Sequence, residues 1–453
     1  MESIVIRAYD LYCQALKFSA FPEHFWEYCR LFRCQSNWLR LVMAIYDSMI
    51  GEKPAIVFDL GTAYLKIGFA GEANPRYILP SPFATMDFAH VNLFESLKEL
   101  FHRLCYKYLI VNAKERRVVI VESIMMPTNF RQSVADVLFL HFEVLSVLFA
   151  PSHLVALFTL GVSTGLVLDC GFTEALILPI YEGYTILNAW HSAPLGSKHI
   201  QKELGRQILE LGFVNADEAG TERFKLTEVP DFDPDRDITP SALEDIIGRA
   251  CFVSPMERAA AWKRWAEAPD TTEPPNYASE VFTCPLGGGK GRGPLLVHIP
   301  SRLRESVVEV LFTPQDDLDG VSITSMFLDC LLMCPIDCRM AFVQNIVCIG
   351  GTTMLPGFIE RLNEELKRSL DLPKYSSLKA LKEHIKFHQP PSKPNYTAWL
   401  GGAIFGALEC LPGRSILRES YLANPKLPDW NELPEETTAV SAPQSELEPK
   451  HSR

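Results

Sequence analysis

The chain lacks an excess of basic residues, and this limits the partners it can have. Its 43 Lys and Arg residues are outnumbered by 55 Asp and Glu residues, giving a formal charge of −12 over 453 residues. Nonspecific binding to nucleic acid or to an anionic membrane depends on a positively charged surface. Neither is therefore expected as the main partner.

The twelve cysteines lack the compact spacing of a disulfide framework, which a chain of this size does not need. Reduced thiols in a cytosolic or nuclear protein are expected. The most regular spacing is Cys330-x₃-Cys334-x₃-Cys338, but Pro335 interrupts the helix and no His lies nearby. Zinc sites favour closely spaced Cys and His ligands, so these residues are predicted to be core thiols.

Clear membrane and export signals are also missing. Residues 144–168 are almost free of charge, but Pro151, Gly161 and Gly165 divide them into a predicted helix (151–160), a turn and a buried strand. The first fifty residues show no basic stretch followed by a clean apolar core, so no signal peptide is expected.

Two matching hairpin patterns are the main positive feature. Residues 57–62 (VFDLGT) and 167–172 (VLDCGF) are apolar runs that end in Asp-x-Gly, and second apolar runs follow at 64–70 and 175–180. Such a pattern predicts a β-hairpin with a carboxylate and a Gly at its turn. The Gly lets backbone N–H groups approach an anion, and the Asp can hold hydrated Mg²⁺. The repetition predicts two related half-domains that clamp a nucleotide's phosphates between them.

A third element completes the predicted cleft. Residues 347–357 (VCIGGTTMLPG) form a strand that ends in Gly-Gly, and a helix is predicted at 358–370. Such a corner exposes N–H groups on which a ligand can pack. The other predicted elements are a strand at 117–122 and helices at 93–108, 130–142, 196–212 and 241–252.

Three segments are predicted to be solvated rather than functional. The Gly-rich run 286–293 is not a phosphate loop, because Lys290 is followed by Gly291 and no helix can start there. It is predicted to be a flexible surface turn. The acidic stretch 217–240 is predicted to be a solvated loop, and the tail 427–453 to be disordered. Partner binding is the alternative for the acidic loop 228–237 and for the tail.

These segments resemble the actin family, in order and along the chain from about residue 53 to about residue 411. The matching segments are 59–71 (DLGTAYLKIGFAG), 168–183, 349–357 (IGGTTMLPG) and 398–403 (AWLGGA). The resemblance implies an α/β fold: the duplicated, ribonuclease-H-like, two-lobed ATPase fold of actin, with a reduced small subdomain in the first lobe.

The resemblance also implies a division of the chain. A first lobe spans 53–187, a second lobe spans 188–387, and residues 388–426 return to the first lobe. Residues 427–453 are the acidic tail. Residues 1–52 are expected to be a packed helical extension, with an atypical exon as the alternative.

The resemblance implies a site for ATP and Mg²⁺. Asp59 and Asp169 would hold Mg²⁺ through water, and Lys66 would meet the phosphates, with a solvated strand lysine as its alternative. The full set of implied binding residues is Asp59, Gly61, Thr62, Lys66, Asp169, Gly171, Gly350, Gly351, Thr352, Met354 and Leu355.

The chain departs from actin where hydrolysis takes place. Ser152 occupies the place of a water-orienting Gln, and His153 could replace it only if its ring faced the cleft; a structural His is the alternative. Phe172 and Leu176 stand where actins have an acidic group and an imidazole, with Thr173 beside Phe172. Hydrolysis needs polar groups that position water, so bound ATP is expected to be structural and the chain not to be an enzyme.

The base side of the predicted site departs from actin as well. Ile247 and Gly248 replace the Lys-Glu pair that actins place beside the adenine. We therefore expect weakened contacts to the base.

A second departure concerns assembly. Actins place a small subdomain, which includes the loop that enters the next filament subunit, where this chain has only residues 82–116. This shortening, with 149–154 (FAPSHL) and 334–338 (CPIDC), resembles the pointed-end actin-related subunits of dynactin. The resemblance implies a pointed-end cap in the cytoplasm and cytoskeleton. Its partners would be actin-related filament subunits, pointed-end subunits of dynactin and, indirectly, dynein, without nucleic acid or membrane insertion.

Two other functions remain open from the sequence. One is a nuclear actin-related subunit of a chromatin-remodelling complex, although such proteins usually carry insertions and no basic import cluster is visible. The other is an ATPase or kinase of the same superfamily, although the position of Phe172 offers no catalytic base. Co-purifying proteins would separate the first of these from the dynactin role.

Overall fold

A computed structural model describes residues 53–86, 92–215, 223–268, 281–287, 295–314 and 320–427. The strands in these ranges are β1 Ile56–Leu60, β2 Tyr64–Phe69, β3 Tyr77–Pro80, β4 Arg117–Glu122, β5 Ser146–Pro151, β6 Gly165–Cys170, β7 Ala175–Tyr181, β8 Tyr184–Thr185, β9 His191–Ala193, β10 Phe213–Asn215, β11 Arg223–Lys225, β12 Val281–Leu286, β13 Leu295–Pro300, β14 Ile346–Ile349, β15 Phe387–His388 and β16 Ile416–Leu417.

The helices of the same ranges connect and cover these strands. They are α1 Leu93–His102, α2 Thr128–Asp136, α3 Ser152–Phe158, α4 Ser197–Leu211, α5 Pro234–Asp237, α6 Pro240–Ala250, α7 Met256–Glu267, α8 Ser301–Ser306, α9 Ile323–Met333, α10 Ile336–Gln344, α11 Phe358–Ser369, α12 Thr397–Gly406, α13 Leu411–Arg414 and α14 Arg418–Ala423. No helix of the described ranges is long and apolar enough to cross a membrane.

The first predicted hairpin lies at the centre of a six-stranded sheet. The strand order is β16-β5-β4-β1-β2-β3, with β1 antiparallel to β2 and parallel to β4. The predicted strand at 117–122 is confirmed as β4. Burial on both faces suits the β-branched run of this strand, because a parallel central strand is covered on both sides.

The second sheet repeats this arrangement. Its order is β15-β14-β6-β7-β8, with β9 also paired to β7. β6 is antiparallel to β7 and parallel to β14, as β1 is to β2 and β4. The predicted second hairpin and the strand before the Gly-Gly corner are therefore confirmed.

Two helices pack between the facing sheets. α3 and α12 share one apolar cluster with residues from β1 and β4 on one side and from β6, β7 and β14 on the other. Their backbones lie close together, since a Cβ added at Gly401 would overlap the carbonyl oxygen of Val155. This cluster joins the two lobes beneath the cleft.

The outer face of each sheet has its own core. α1 and α2 cover the first sheet, whereas α4, α6, α9 and α11 cover the second. The second lobe also carries a four-stranded sheet of order β11-β10-β13-β12. The predicted helices at 196–212, 241–252 and 358–370 are confirmed as α4, α6 and α11.

The segment between β3 and β4 is mainly helical. A 3₁₀ turn at Pro82–Ala84 precedes α1, which continues as a π-helical stretch over Arg103–Leu109. Leu97, Phe101 and Leu104 are buried in the core of the first lobe. The predicted helix at 93–108 is confirmed, and no strand occurs in the described part of residues 81–116.

Most of residues 223–240 are solvent-exposed, as predicted for the stretch 217–240, but the prediction of a loop is wrong where short elements form. β11, a 3₁₀ turn and α5 occupy this stretch, and Asp237 is only 5% exposed. The Asp237 carboxylate accepts hydrogen bonds from the Asp233 N–H (3.0 Å) and from Arg236. The acidic composition of this stretch does not predict these local hydrogen bonds, which stabilise a buried carboxylate.

Several predictions lie outside the described residues. They concern the N-terminal extension 1–52, nearly all of the Gly-rich run and the tail beyond residue 427.

Candidate functional site

A cavity of about 560 Å³ opens between the two hairpin turns. This volume lies within the range of small-molecule sites in proteins. The structure brings together all the binding residues that the resemblance implied: Asp59, Gly61, Thr62, Lys66, Asp169, Gly171, Gly350, Gly351, Thr352, Met354 and Leu355. Ile247 and Gly248 also line it, on the wall formed by α6.

The first turn supplies a carboxylate and a cation. Asp59 on β1 and Lys66 on β2 are cross-strand neighbours, and Lys66 Nζ lies 3.1 Å from Asp59 Oδ2. The Lys66 side chain is 15% exposed, so it lies in the cleft and is not a solvated strand lysine. A Cβ at Gly61 would come within 2.6 Å of the Tyr64 carbonyl oxygen, which explains the Gly at this turn.

The second turn places Asp169 opposite the first. Burial raises the pKa of Asp169 to about 6, while Lys66 lowers it and Asp59 raises it. These mutual effects reflect the close approach of the two hairpins. At neutral pH the Asp169 carboxylate is therefore largely ionised, as it would need to be to hold hydrated Mg²⁺.

The Gly-Gly corner after β14 packs on the second turn. Gly350 has φ +94°, and a Cβ there would overlap the Cys170 carbonyl oxygen. The Thr352 hydroxyl donates a 2.7 Å hydrogen bond to the Gly171 carbonyl oxygen. Gly351 has open space around it and faces the cavity, so backbone is accessible at this corner.

His153 faces the protein core and not the cleft. Its ring is fully buried, with Nδ1 3.1 Å from the Ser152 hydroxyl and Nε2 3.3 Å from the Leu176 carbonyl oxygen. Burial lowers the pKa of His153 to about 4, so the ring is neutral at physiological pH. The structural alternative of the sequence analysis is therefore confirmed for this residue.

Two apolar residues at and just after the second turn line the cavity where the resemblance places polar residues of actin. Phe172 and Leu176 both line the cavity, and Leu176 is 2% exposed. Ser152 lines it as well, but its hydroxyl is engaged with His153.

Sequence reasoning missed several acidic residues and a tyrosine of this site. Glu174 lies three positions after Gly171 of the second Asp-x-Gly turn, and burial together with Asp169 raises its pKa. Its place beside the turn was a usable signal. Glu122 is the last residue of β4 and lines the cavity. Tyr64 and Glu244 line the cavity as well. No local pattern marks those last two, which lie far apart in the chain.

The regularly spaced cysteines lie away from the cavity. Cys330 and Cys334 are buried, and Cys338 is partly exposed. The hydrogen bond with Cys334 and burial raise the pKa of Cys330 far above its usual value. Cys330 and Cys334 are thus core thiols, as predicted, whereas Cys338 packs against that core and is only partly buried.

The sequence model of the actin family matches residues 84–424, and the chain belongs to that family. It is similar to actin-related protein 10 of Dictyostelium discoideum, with 29% identity over 84% of this chain and 90% of the relative. It is also similar to actin-related protein 2 of Arabidopsis thaliana, with 24% identity over 82% of this chain and 96% of the relative. The predicted two-lobed actin fold is confirmed.

Proposed function

We propose that this chain is a structural subunit that caps the pointed end of the actin-related filament in dynactin. In this role it would support dynein-driven transport and cargo attachment in the cytoplasm. Its similarity to an actin-related protein 10 supports the assignment. So does the short segment between β3 and β4.

The observation that carries the proposal is the packing of that segment. α1 and the π-helical stretch that follows it bury most of their apolar side chains in the first lobe's own core. The resemblance to actin implies that this region normally enters the neighbouring subunit. A subunit without such a loop can bind a filament through its opposite face but accepts no further subunit.

The cavity fits a Mg²⁺–ATP complex. Five of the described residues that line it are acidic and only Lys66 is basic, so a polyphosphate would need a cation to enter. Asp59 and Asp169 would hold Mg²⁺ through water, and Lys66 would contact the phosphates. The bound complex would neutralise carboxylates from both lobes and so stabilise their closed arrangement.

Hydrolysis is proposed to be slow or absent. An attacking water must be held in line with the γ-phosphate by a polar group. His153 faces the core, while the apolar residues Phe172 and Leu176 stand among the cavity-lining residues where the resemblance places polar ones. The site is thus suited to retaining ATP as a structural ligand.

Filament-end binding tests the capping role. Purified chain, carrying a small label, is added to filaments of the actin-related subunit and examined by electron microscopy. We expect label at one end only, and growth that stops at that end. Label along the filament sides, or within filaments that continue to grow, would contradict the proposal.

The nucleotide role has a separate test. Denaturing the purified protein and separating the released nucleotide by chromatography should yield ATP. Recovery of ADP would indicate a working hydrolase, and recovery of no nucleotide would contradict the binding site.

Co-purification of dynein and dynactin subunits is expected, whereas a chromatin-remodelling helicase in their place would favour the nuclear alternative.

A further inference from the structure

Tyr64 and Glu244 meet across the cavity from opposite lobes. Tyr64 begins β2 in the first lobe, and Glu244 lies on α6 in the second. The Tyr64 hydroxyl donates a 2.6 Å hydrogen bond to Glu244 Oε1. Both residues line the cavity, and Glu244 is solvent-exposed, so this contact lies at its mouth.

We propose that the Tyr64–Glu244 hydrogen bond is a clasp that holds the cleft closed and slows the exchange of its ligand. The inference rests on the proposed function for the identity of that ligand, Mg²⁺–ATP. It goes beyond that function by assigning ligand retention to two residues that contribute nothing to the implied phosphate or metal contacts.

The position of the bond gives it this role. Beneath the cleft, α3 and α12 form a continuous apolar cluster with both sheets, so the lobes stay joined there. Opening of the cleft therefore has to separate the lobes at the mouth, where Tyr64 and Glu244 are bonded. A hydrogen bond to a carboxylate is stronger than one between neutral groups.

The donor of this bond is present throughout the physiological pH range. Burial and the neighbouring Glu244 carboxylate raise the pKa of Tyr64 to about 12, so its phenol stays protonated. The Tyr64 phenol can therefore donate this hydrogen bond between about pH 6 and 9.

Nucleotide release tests the clasp directly. Tyr64→Phe removes the donor but keeps the ring, and Glu244→Ala removes the acceptor. Protein loaded with a fluorescent ATP analogue and Mg²⁺ is chased with excess ATP. We expect each variant to release the analogue about 3- to 10-fold faster than the wild type. The double variant should be no faster than the faster single variant, because both changes remove the same bond.

Tyr184→Phe is the matched control. Tyr184 is 80% exposed on β8 and does not line the cavity, so its variant should release the analogue at the wild-type rate. Wild-type release rates in Tyr64→Phe, or fully additive effects in the double variant, would overturn the proposal.

Amide hydrogen exchange supplies a readout that needs no nucleotide. In the nucleotide-free full chain, Tyr64→Phe should speed exchange in residues 59–66 and 240–250 but leave residues 117–122 unchanged. Unchanged exchange in the first two segments would overturn the clasp. If the wild type binds no nucleotide at all, the proposed nucleotide site is wrong, and exchange alone decides whether the clasp exists.

Discussion

At the scale of single residues, His153 shows how orientation decides chemistry. The residue lies beside Ser152, at the place where an actin positions its attacking water. Its ring nitrogens are instead directed to the Ser152 hydroxyl and to the Leu176 carbonyl oxygen, and no part of the ring is exposed. The side chain therefore contributes to the packing of α3 against β7 and not to the cleft.

The burial of His153 as a neutral ring predicts that the stability of the folded protein depends on pH. The folded-state pKa of His153 is about 4, below its usual 6.5, so between these values the unfolded chain binds a proton that the folded chain does not. The stabilisation that comes from burying this neutral ring is complete above pH 6.5, and it decreases as the pH falls towards 4. On going from pH 8 to 5.5, this residue should cost on the order of 1 kcal/mol of unfolding free energy.

Urea unfolding at pH 8 and pH 5.5 measures this contribution. His153→Gln should lose less stability between the two pH values than the wild type, whereas His384→Gln, on an exposed residue, should behave as the wild type does. If His153→Gln and the wild type lost the same unfolding free energy between pH 8 and pH 5.5, His153 would not be the source of the pH dependence.

At the scale of elements, the close contact of α3 with α12 limits which substitutions the junction between the lobes tolerates. Gly401→Ala would place a methyl group against the Val155 carbonyl oxygen, and overpacking of this kind costs about 1–3 kcal/mol. Gly248→Ala, in the middle of α6, has open space and should gain roughly 0.5–1 kcal/mol from helix propensity. Thermal unfolding should therefore shift in opposite directions for the two variants. A stabilised Gly401→Ala protein would show that the helices are not in close contact.

At the scale of the whole molecule, the fold predicts a subunit that does not polymerise by itself. The described part of the segment between β3 and β4 has no strand and packs on its own lobe, so under the capping proposal we expect this face not to join a further subunit. Sedimentation of the purified chain with Mg²⁺ and ATP should show no filaments under conditions that polymerise the actin-related filament subunit. Pelletable filaments of this chain alone would contradict the capping proposal.

The local elements of this fold were predictable because their signals are local. An apolar run followed by Asp-x-Gly specifies β1 and β6 within a few residues, and the repeat specifies that they are equivalent. The spacing of apolar residues located α1, α4 and α11. The acidic stretch around Asp237 was misread, since its hydrogen bonds to Asp233 and Arg236 do not follow from its charge.

The sequence by itself determined the two hairpin turns, the Gly-Gly corner and the membership of an actin-like architecture. The turns and the corner depend on residue types within one turn or strand, and the architecture follows from the order of these segments along the chain. Only the tertiary structure decided that His153 faces the core, that Glu174 joins the cavity and that Tyr64 meets Glu244, 180 residues away. The reason is physical: a side chain's direction and its distant partners depend on how the sheets pack around α3 and α12, which no short segment encodes.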